Sequence, residues 1–343
     1  AGSININMST DKDNVNAALD LLADILLHPS FDKNEFDKML LDLKGEYEAN
    51  KSDPQYVAFN TLSKKMILYP KGHPLYPESV EENLDNLQKA SLDDVKNFYK
   101  DFYGTNNGCA AFVGVIDPVS IKTFLEKNLS SYLSKQPYTE IEEKYFDVKG
   151  NLETINIKDK TNAVCIGAIN VPLKQGDPDF VALDMANEML GGGAFLSSRI
   201  PQRLRESEGM SYGAGSFLNF NYKYPASSWG VYAIFNPLYK NRLDSALRDE
   251  LSKALQGGFK EDEFKKSLSS WLQQRKTELG FDQSLSSRLA SYMNQGKDLS
   301  FFTDYENAAR KLSLAQVNTA LRKYIAPDKI TLIYAGDFSK KGF

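Results

Sequence analysis

The 343-residue chain is 42% hydrophobic and 25% charged, ordinary proportions for a globular protein, and its length suggests two domains rather than one core. A net charge of −4, spread without blocks, argues against a nucleic-acid partner. No run of 18 apolar residues occurs, so no membrane span is expected, and the opening AGSININMSTDK lacks the charged-then-apolar form of a signal peptide.

In chain order, residues 3–8 alternate Ile4 and Ile6 with Asn5 and Asn7, which predicts a short strand. Ser9-Thr10-Asp11 supplies capping groups for a helix over 14–27, ended by Pro29. A second helix is expected over 33–50, and Asp53-Pro54 starts a third that reaches about residue 68. The two prolines and glycine of 69–76 make a loop. Ser91-Leu92-Asp93-Asp94 caps a helix ending near Phe102, and Asn106-Asn107-Gly108 turns into a strand over 109–115. A helix over 118–133 follows. Residues 134–150 carry no apolar stripe and read as a linker between a domain at 1–133 and another at 151–343.

Beyond the linker, strands are expected near 154–157 and over 163–171, then a helix from Asp177-Pro178 to Leu190. Strands at 212–222 and 227–235 come next. Helices at 239–256, 261–279, 284–295, 301–312 and 313–325 precede a closing strand at 330–335. Two parts of this pattern match two others. SLDDVKNFYKDFYGTNNGCAAFVGVIDP from Ser91 matches SLAQVNTALRKYIAPDKITLIYAGDFS from Ser313, and FDKNEFDKML from Phe31 matches FKEDEFKKSL from Phe259. The second offset, 228 residues, carries 3–8 onto 231–236. The chain therefore reads as a duplicated α+β domain whose first copy starts late, lacking some 75–80 residues that the second copy has.

Cys109 and Cys165 each lie in an apolar strand-like run, which predicts two buried, separate thiols; two alone cannot build a structural zinc site. His28 and His73 are each followed by proline. Neither has a partner histidine at i+4, so no H-E-x-x-H or H-x-x-E-H helix occurs.

The most distinctive stretch is LGGGAFLSSRIPQRLRESEGMSYGAGS, Leu190 to Ser216. A helix stops at Gly191-Gly192-Gly193, and Phe195, Leu196, Ile200 and Leu204 recur at helical spacing beyond it. Pro201 splits that run into two short helical pieces. Gly209 turns the chain into a strand led by Tyr212, where Gly213, Ala214 and Gly215 let another backbone, or a substrate, approach closely. Arg205 and Tyr212 stand seven residues apart. Taken alone, Arg205 is a solvated helix residue and Tyr212 a strand core residue. As a block, the stretch resembles the signature of the second half of the M16 (pitrilysin/insulinase-like) zinc peptidases. In that family an Arg and a Tyr at this spacing project toward a zinc site.

The resemblance implies tandem M16-type (LuxS/MPP-like) α+β domains, each a mixed sheet packed by helices, the first truncated at its N-terminus. It also implies a non-catalytic, C-terminal-type half that closes over a zinc-bearing half, in the same precursor or in a separate subunit. Arg205 and Tyr212 would then serve peptide binding and transition-state stabilisation, and Gly213, Gly215 and Ser216 would hold a peptide or unfolded substrate by its backbone. The family's further glutamate ligand would fall near Glu46, but Met39 stands where an assisting glutamate belongs, and no metal site is assigned to this chain. Zinc is expected in the partner half only, and the chain alone is expected to be inactive. The alternative is a catalytically inactive M16-fold scaffold or assembly subunit, as some respiratory-complex core subunits are. An open sheet edge in the first domain leads to an expectation of dimerisation or partner capture. The compartment, exported or cytoplasmic, stays open.

Overall fold

The computed structural model describes residues 4–193 and 198–339. Among these, six helices precede the first strand: α1 (Val15–Leu27), α2 (Lys33–Asn50), α3 (Pro54–Met66), α4 (Val80–Lys89), α5 (Leu92–Phe102) and α6 (Pro118–Leu129). Strands β1 (Leu152–Asn156) and β2 (Ala163–Val171) lead to α7 (Phe180–Asn187), which widens into a π-turn over Glu188–Gly192. The short α8 (Arg199–Pro201) widens likewise over Gln202–Ser207. Then come β3 (Ser211–Asn219), β4 (Ser227–Phe235), α9 (Lys240–Gly257), α10 (Glu261–Glu278) and α11 (Asp282–Asn294). The last elements are α12 (Ser300–Arg310), α13 (Leu314–Tyr324) and β5 (Thr331–Gly336).

Side chains chosen for capping start several of these helices. Asp53 accepts from the Tyr56 amide at 2.8 Å with Pro54 in the first turn, and Asp117 accepts from Val119 ahead of Pro118. Ser91 with Asp94, and Ser313 with Gln316, form reciprocal capping boxes on α5 and α13. The helix α4 escaped the sequence reading because its decapeptide VEENLDNLQK is mostly polar; the Ser79-x-x-Glu82 start signal was there to be read.

The chain forms two compact units, neither continuous in sequence. One comprises 47–80, 142–274 and 304–343; the other 1–46, 81–141 and 275–303.

The larger unit is built on a five-stranded mixed sheet in the order β1-β5-β2-β4-β3, with β1 parallel to β5 and every other pair antiparallel. The strand β2 is buried along almost its whole length, as its unbroken apolar sequence AVCIGAINV requires of a central strand. Its side chains alternate between two cores. Val164, Ile166 and Ala168 join Ile333 and Ala335 of β5 against Ala58, Leu62 and Met66 of α3. Cys165 and Val171 face the other way, toward Leu183 of α7, Leu243, Leu247 and Leu251 of α9, and Val317 and Leu321 of α13. Asn170 ties α3 to the sheet by donating to the Met66 and Phe146 carbonyls, both at 2.9 Å.

The smaller unit is helical. Leu19 and Ala23 of α1, Leu84 of α4, and Ile121 and Leu129 of α6 are its buried apolar residues. Tyr99 of α5 stacks obliquely on Tyr103 at 4.3 Å, meets Phe31 edge-on at 5.4 Å and donates to the Leu26 carbonyl. Residues 4–8 and 109–115, both expected as strands, carry no regular structure, and Ile4, Ile6 and Met8 are exposed. A lone extended segment gains nothing without a hydrogen-bonded neighbour, and no strand occurs among the described residues of this unit. Residue 3 lies outside the described residues.

The cysteines divide. Both are free, but only Cys165 is buried; Cys109 is exposed because the strand that would have covered it does not form, which corrects the expectation of two buried thiols. Its Sγ lies 3.3 Å from the Ala290 carbonyl oxygen. Burial pushes the Cys165 thiol up to about 12. In native protein an aromatic disulfide reagent at pH 8 should therefore label one thiol within minutes, with the second reacting only on unfolding. A Cys109→Ser variant should abolish the fast phase. The buried thiol stays protonated where an unfolded one ionises, so it also removes stability from the larger unit as pH rises from about 9 toward 12.

Candidate functional site

The glycine run does more than stop a helix. A Cβ on Gly191 would come within 2.5 Å of the Ser216 backbone nitrogen, and one on Gly192 within 2.3 Å of the Asn187 amide nitrogen. A Cβ on Gly215 of β3 would in turn meet the Gly191 carbonyl oxygen at 2.8 Å. Glycine on both sides lets the π-turn lie directly on β3. Asn187 organises the contact from beneath: its Oδ1 accepts from Ser216 Oγ at 2.7 Å and from Trp229 Nε1 at 3.1 Å, and all three residues are buried. Sequence reasoning passed over Asn187, though a lone amide in the apolar run FVALDMANEML is a signal of a buried polar hub.

The expected apolar positions Phe195 and Leu196 lie outside the described residues. From Ser198 on, Ile200 and Leu204 are buried in the main core, as their spacing predicted. Pro201 falls in the first turn of the 199–207 run, where its missing N–H costs no helical bond. Arg199 forks onto Glu263 at 2.9 and 3.0 Å, donates to the Gly258 carbonyl at 2.9 Å and covers the Phe259 ring at 4.8 Å. Burial pushes the Glu263 carboxyl up, but the Arg199 fork and the Lys260 amide outweigh it and leave the group below the usual range. Arg203 and Arg242 both reach Glu208, at 2.7 and 3.0 Å. These arginines hold the hairpin from helix to strand in place. Arg205 differs: its side chain is half-exposed and lies 3.7 Å from the carboxylate of the adjacent Glu206.

Gly209, with φ +61°, makes the turn, and the Gly209 and Met210 amides close it on the Arg205 and Leu204 carbonyls, each at 3.0 Å. A β-bulge follows. Ser211 pairs with Phe235 and Gly213 with Ile234, so Tyr212 is the extra residue with no place in the ladder. Ser211 Oγ sits 2.7 and 2.8 Å from the Gly213 and Ile234 carbonyls and fixes the bulge. The consequence is that Tyr212 is 64% exposed, which removes the reading of it as a core residue. Gly213 has open space where a Cβ would stand. Gly215 and Ser216, by contrast, spend their small size and hydroxyl on the π-turn and Asn187.

Neither histidine is placed as a metal ligand. His28 Nδ1 contacts the exposed Asp24 at 3.2 Å, and His73 stacks flat on Tyr69 at 4.0 Å while its Nδ1 accepts from the Leu75 amide. Glu46 is exposed on α2. Among the described residues no group of three His, Cys, Asp or Glu could hold a metal ion. The residues present do not fit the zinc that the family resemblance brings to mind.

Residues 89–296 match the family described as the Peptidase M16 inactive domain, and residues 3–78 match the insulinase (Peptidase family M16) domain. The chain belongs to the M16 family. It is 29% identical over 208 residues to an uncharacterized zinc protease, YmxG, of Bacillus subtilis, a match covering 60% of this chain and 47% of that protein. It is 22% identical over 356 residues to the non-peptidase homolog YmxG of Helicobacter pylori, covering 98% of this chain and 78% of that one. The chain thus spans about half the length of the first of these M16 relatives and about three quarters of the second. The crystal structure of a peptidase M16 inactive domain from Pseudomonas fluorescens superposes with a TM-score of 0.80 at 19% identity, over 97% of this chain and 77% of that chain. The α+β fold is therefore that of M16 inactive domains. No helix of the described residues is long and apolar enough to cross a membrane.

Proposed function

We propose that the chain acts as a non-catalytic M16 subunit, working through assembly with another M16 chain rather than through hydrolysis of its own. The inactive-domain match over 89–296 carries this reading, and the printed name of the Helicobacter pylori relative supports it. The surroundings of the two histidines support it, since among the described residues neither belongs to a group of three that could hold a metal ion. Protein purified without chelator should carry no stoichiometric zinc and cleave no fluorogenic peptide. It should co-elute with a zinc-bearing M16 chain of the same source in light-scattering chromatography. One tightly bound zinc per chain with turnover would sink the proposal.

A second reading is favoured by one observation, the bulge that thrusts Tyr212 outward, seven residues after a half-exposed Arg205. In an assembly facing a peptide, the Tyr212 phenol would donate to a peptide carbonyl oxygen and strengthen that bond as charge develops there. The Arg205 guanidinium would hold a carbonyl or carboxylate of the same peptide. Gly213 offers an uncovered backbone for such a chain to approach, whereas Gly215 and Ser216 contribute by shaping β3 from within.

A further inference from the structure

The sheet of the larger unit ends at β1, and among the described residues no strand pairs with it on its other side. The Asn151 carbonyl accepts from the Leu332 amide at 2.7 Å, and the Ile157 amide donates to the Gly336 carbonyl at 2.8 Å. In a parallel pair a strand turns alternate residues toward its neighbour, so 151, 153, 155 and 157 are the ones that bond β5. Leu152, Thr154 and Asn156 direct their amides and carbonyls outward, along the edge. Sheet edges are commonly blunted by a proline, a lysine or a bulge, and these three residues supply none of them.

The two faces of β1 differ. On one, Glu153 pairs with Lys65 of α3 at 2.8 Å and Ile155 packs against the core beneath α3. On the other, the face of Leu332 and Tyr334, Leu152 is 48% exposed, and Thr154 and Asn156 are exposed with it. Here α9 leaves a cleft of about 300 Å³, walled by Leu247, Leu251 and Leu255 on the helix and by Ile330 and Leu332 on the sheet. Leu332 is the ladder partner of Leu152, which sets the apolar part of the cleft at the level of that residue. Arg248 also lines it. Tyr334, the ladder partner of Thr154, donates to Asp244 at 2.7 Å, and Asp244 takes the Nε of Arg248 at 3.0 Å. Arg248 therefore stands at the level of Thr154. Lys240 lies over the Tyr334 ring at 4.8 Å, so two cations meet one carboxylate and this end of the cleft is net positive.

We infer that the edge of β1 and the cleft beside it form a docking site for an extended segment of another protein chain. The segment adds antiparallel to β1, lays a long apolar side chain past Leu152 into the cleft and, two residues earlier, sets a carboxylate on Arg248. Main-chain bonds along an open edge give such a site its affinity, and pockets for alternate side chains give it selectivity. A second copy of this chain fits poorly. Antiparallel pairing of two β1 strands centred on Thr154 sets the copy's Asn156, a polar amide, beside Leu152, and pairing centred on Glu153 sets two glutamates face to face. The inference takes from the assembly reading only the source of the segment, and the surface lies at the opposite edge of the sheet from Tyr212 on β3.

The test is a dye-labelled peptide, KTETFTVTK, titrated into the 343-residue chain and followed by fluorescence anisotropy. Saturable binding tighter than about 1 mM is expected, with hydrogen exchange slowed at Thr154 and Asn156. Replacing the peptide's phenylalanine by alanine, or Arg248→Gln in the protein, should each weaken binding about tenfold. Thr154→Pro should abolish it while leaving the unfolding midpoint nearly unchanged, because the amide it removes points away from β5. Ser252→Phe, which fills the cleft from α9, should weaken it about tenfold as well. No saturable binding, equal binding of a scrambled peptide, or binding that survives Thr154→Pro would overturn the inference. A dimer of the chain that Thr154→Pro splits would overturn it too, by giving the edge to a second copy. Peptide binding is read on this chain alone, so its failure removes the surface and leaves co-elution with a zinc-bearing chain to decide the assembly.

Discussion

Asn187→Ala should cost the larger unit about 3 kcal/mol, more than any single substitution at the solvent-facing site. The amide oxygen is shared by two buried donors, Ser216 Oγ and Trp229 Nε1. Removing it orphans the indole N–H outright, whereas Ser216 keeps a second acceptor, the Asn187 carbonyl at 3.2 Å. The small cavity left beside Gly192 adds to the loss. Ser216→Ala should cost about 1 kcal/mol, because Asn187 then still receives the indole. Both tryptophans, Trp229 and Trp271, lie in the larger unit, so their fluorescence during urea unfolding reports on that unit alone. Combined, the two substitutions should cost less than their sum, since they break one shared bond. If Ser216→Ala proved the more damaging, Asn187 would not be the hub.

That hub illustrates what could be read from the chain. Periodicity placed β2, β4, α10 and α13 within a few residues, because each buries a face whose repeat is written in its apolar spacing. Ile200 and Leu204 were legible for the same reason. The strands expected at 3–8 and 109–115 carry equally good alternation, yet a strand's stability lies in its neighbours, which the segment itself does not encode. Cys109 followed its strand into the open. The exchange of α3 and α11 between the two units escaped notice because periodicity reports that a helix has an apolar face and not which sheet receives it.

At the site, the spacing of Arg205 and Tyr212 was legible, but their surroundings were not. The bulge arises from Ser211, whose hydroxyl reaches the Gly213 and Ile234 carbonyls, and no alternation pattern announces it. The glycines presented two readings, close backbone or close substrate. Gly215 and Gly191 belong to the first, each blocked to a Cβ by the other's strand or turn, and Gly213 alone leaves its face open. Arg199, Arg203 and Arg205 look alike in sequence. Their surroundings separate them: Arg199 and Arg203 pair with Glu263 and Glu208 at 2.9 and 2.7 Å, whereas the Arg205 side chain is half-exposed.

Tyr212→Phe in an assembly with a zinc-bearing M16 chain decides between the two functional readings. The substitution removes one exposed hydroxyl from a side chain outside the β ladder, so the unfolding midpoint should stay within about 1 °C of the parent. If the phenol donates to a peptide carbonyl as charge develops, kcat should fall by about 10²–10³ with KM little changed, because the bond tightens only in the transition state. Arg205→Ala should then raise KM as well, since a guanidinium that holds the peptide acts before the reaction begins. The Arg205 side chain is half-exposed, so its loss should cost little stability. An unchanged kcat for Tyr212→Phe would end the peptide-contact reading and leave assembly as the role of the chain. A fall in kcat confined to Tyr212→Phe, with Arg205→Ala silent, would keep the phenol at the peptide and return Arg205 to the solvated surface.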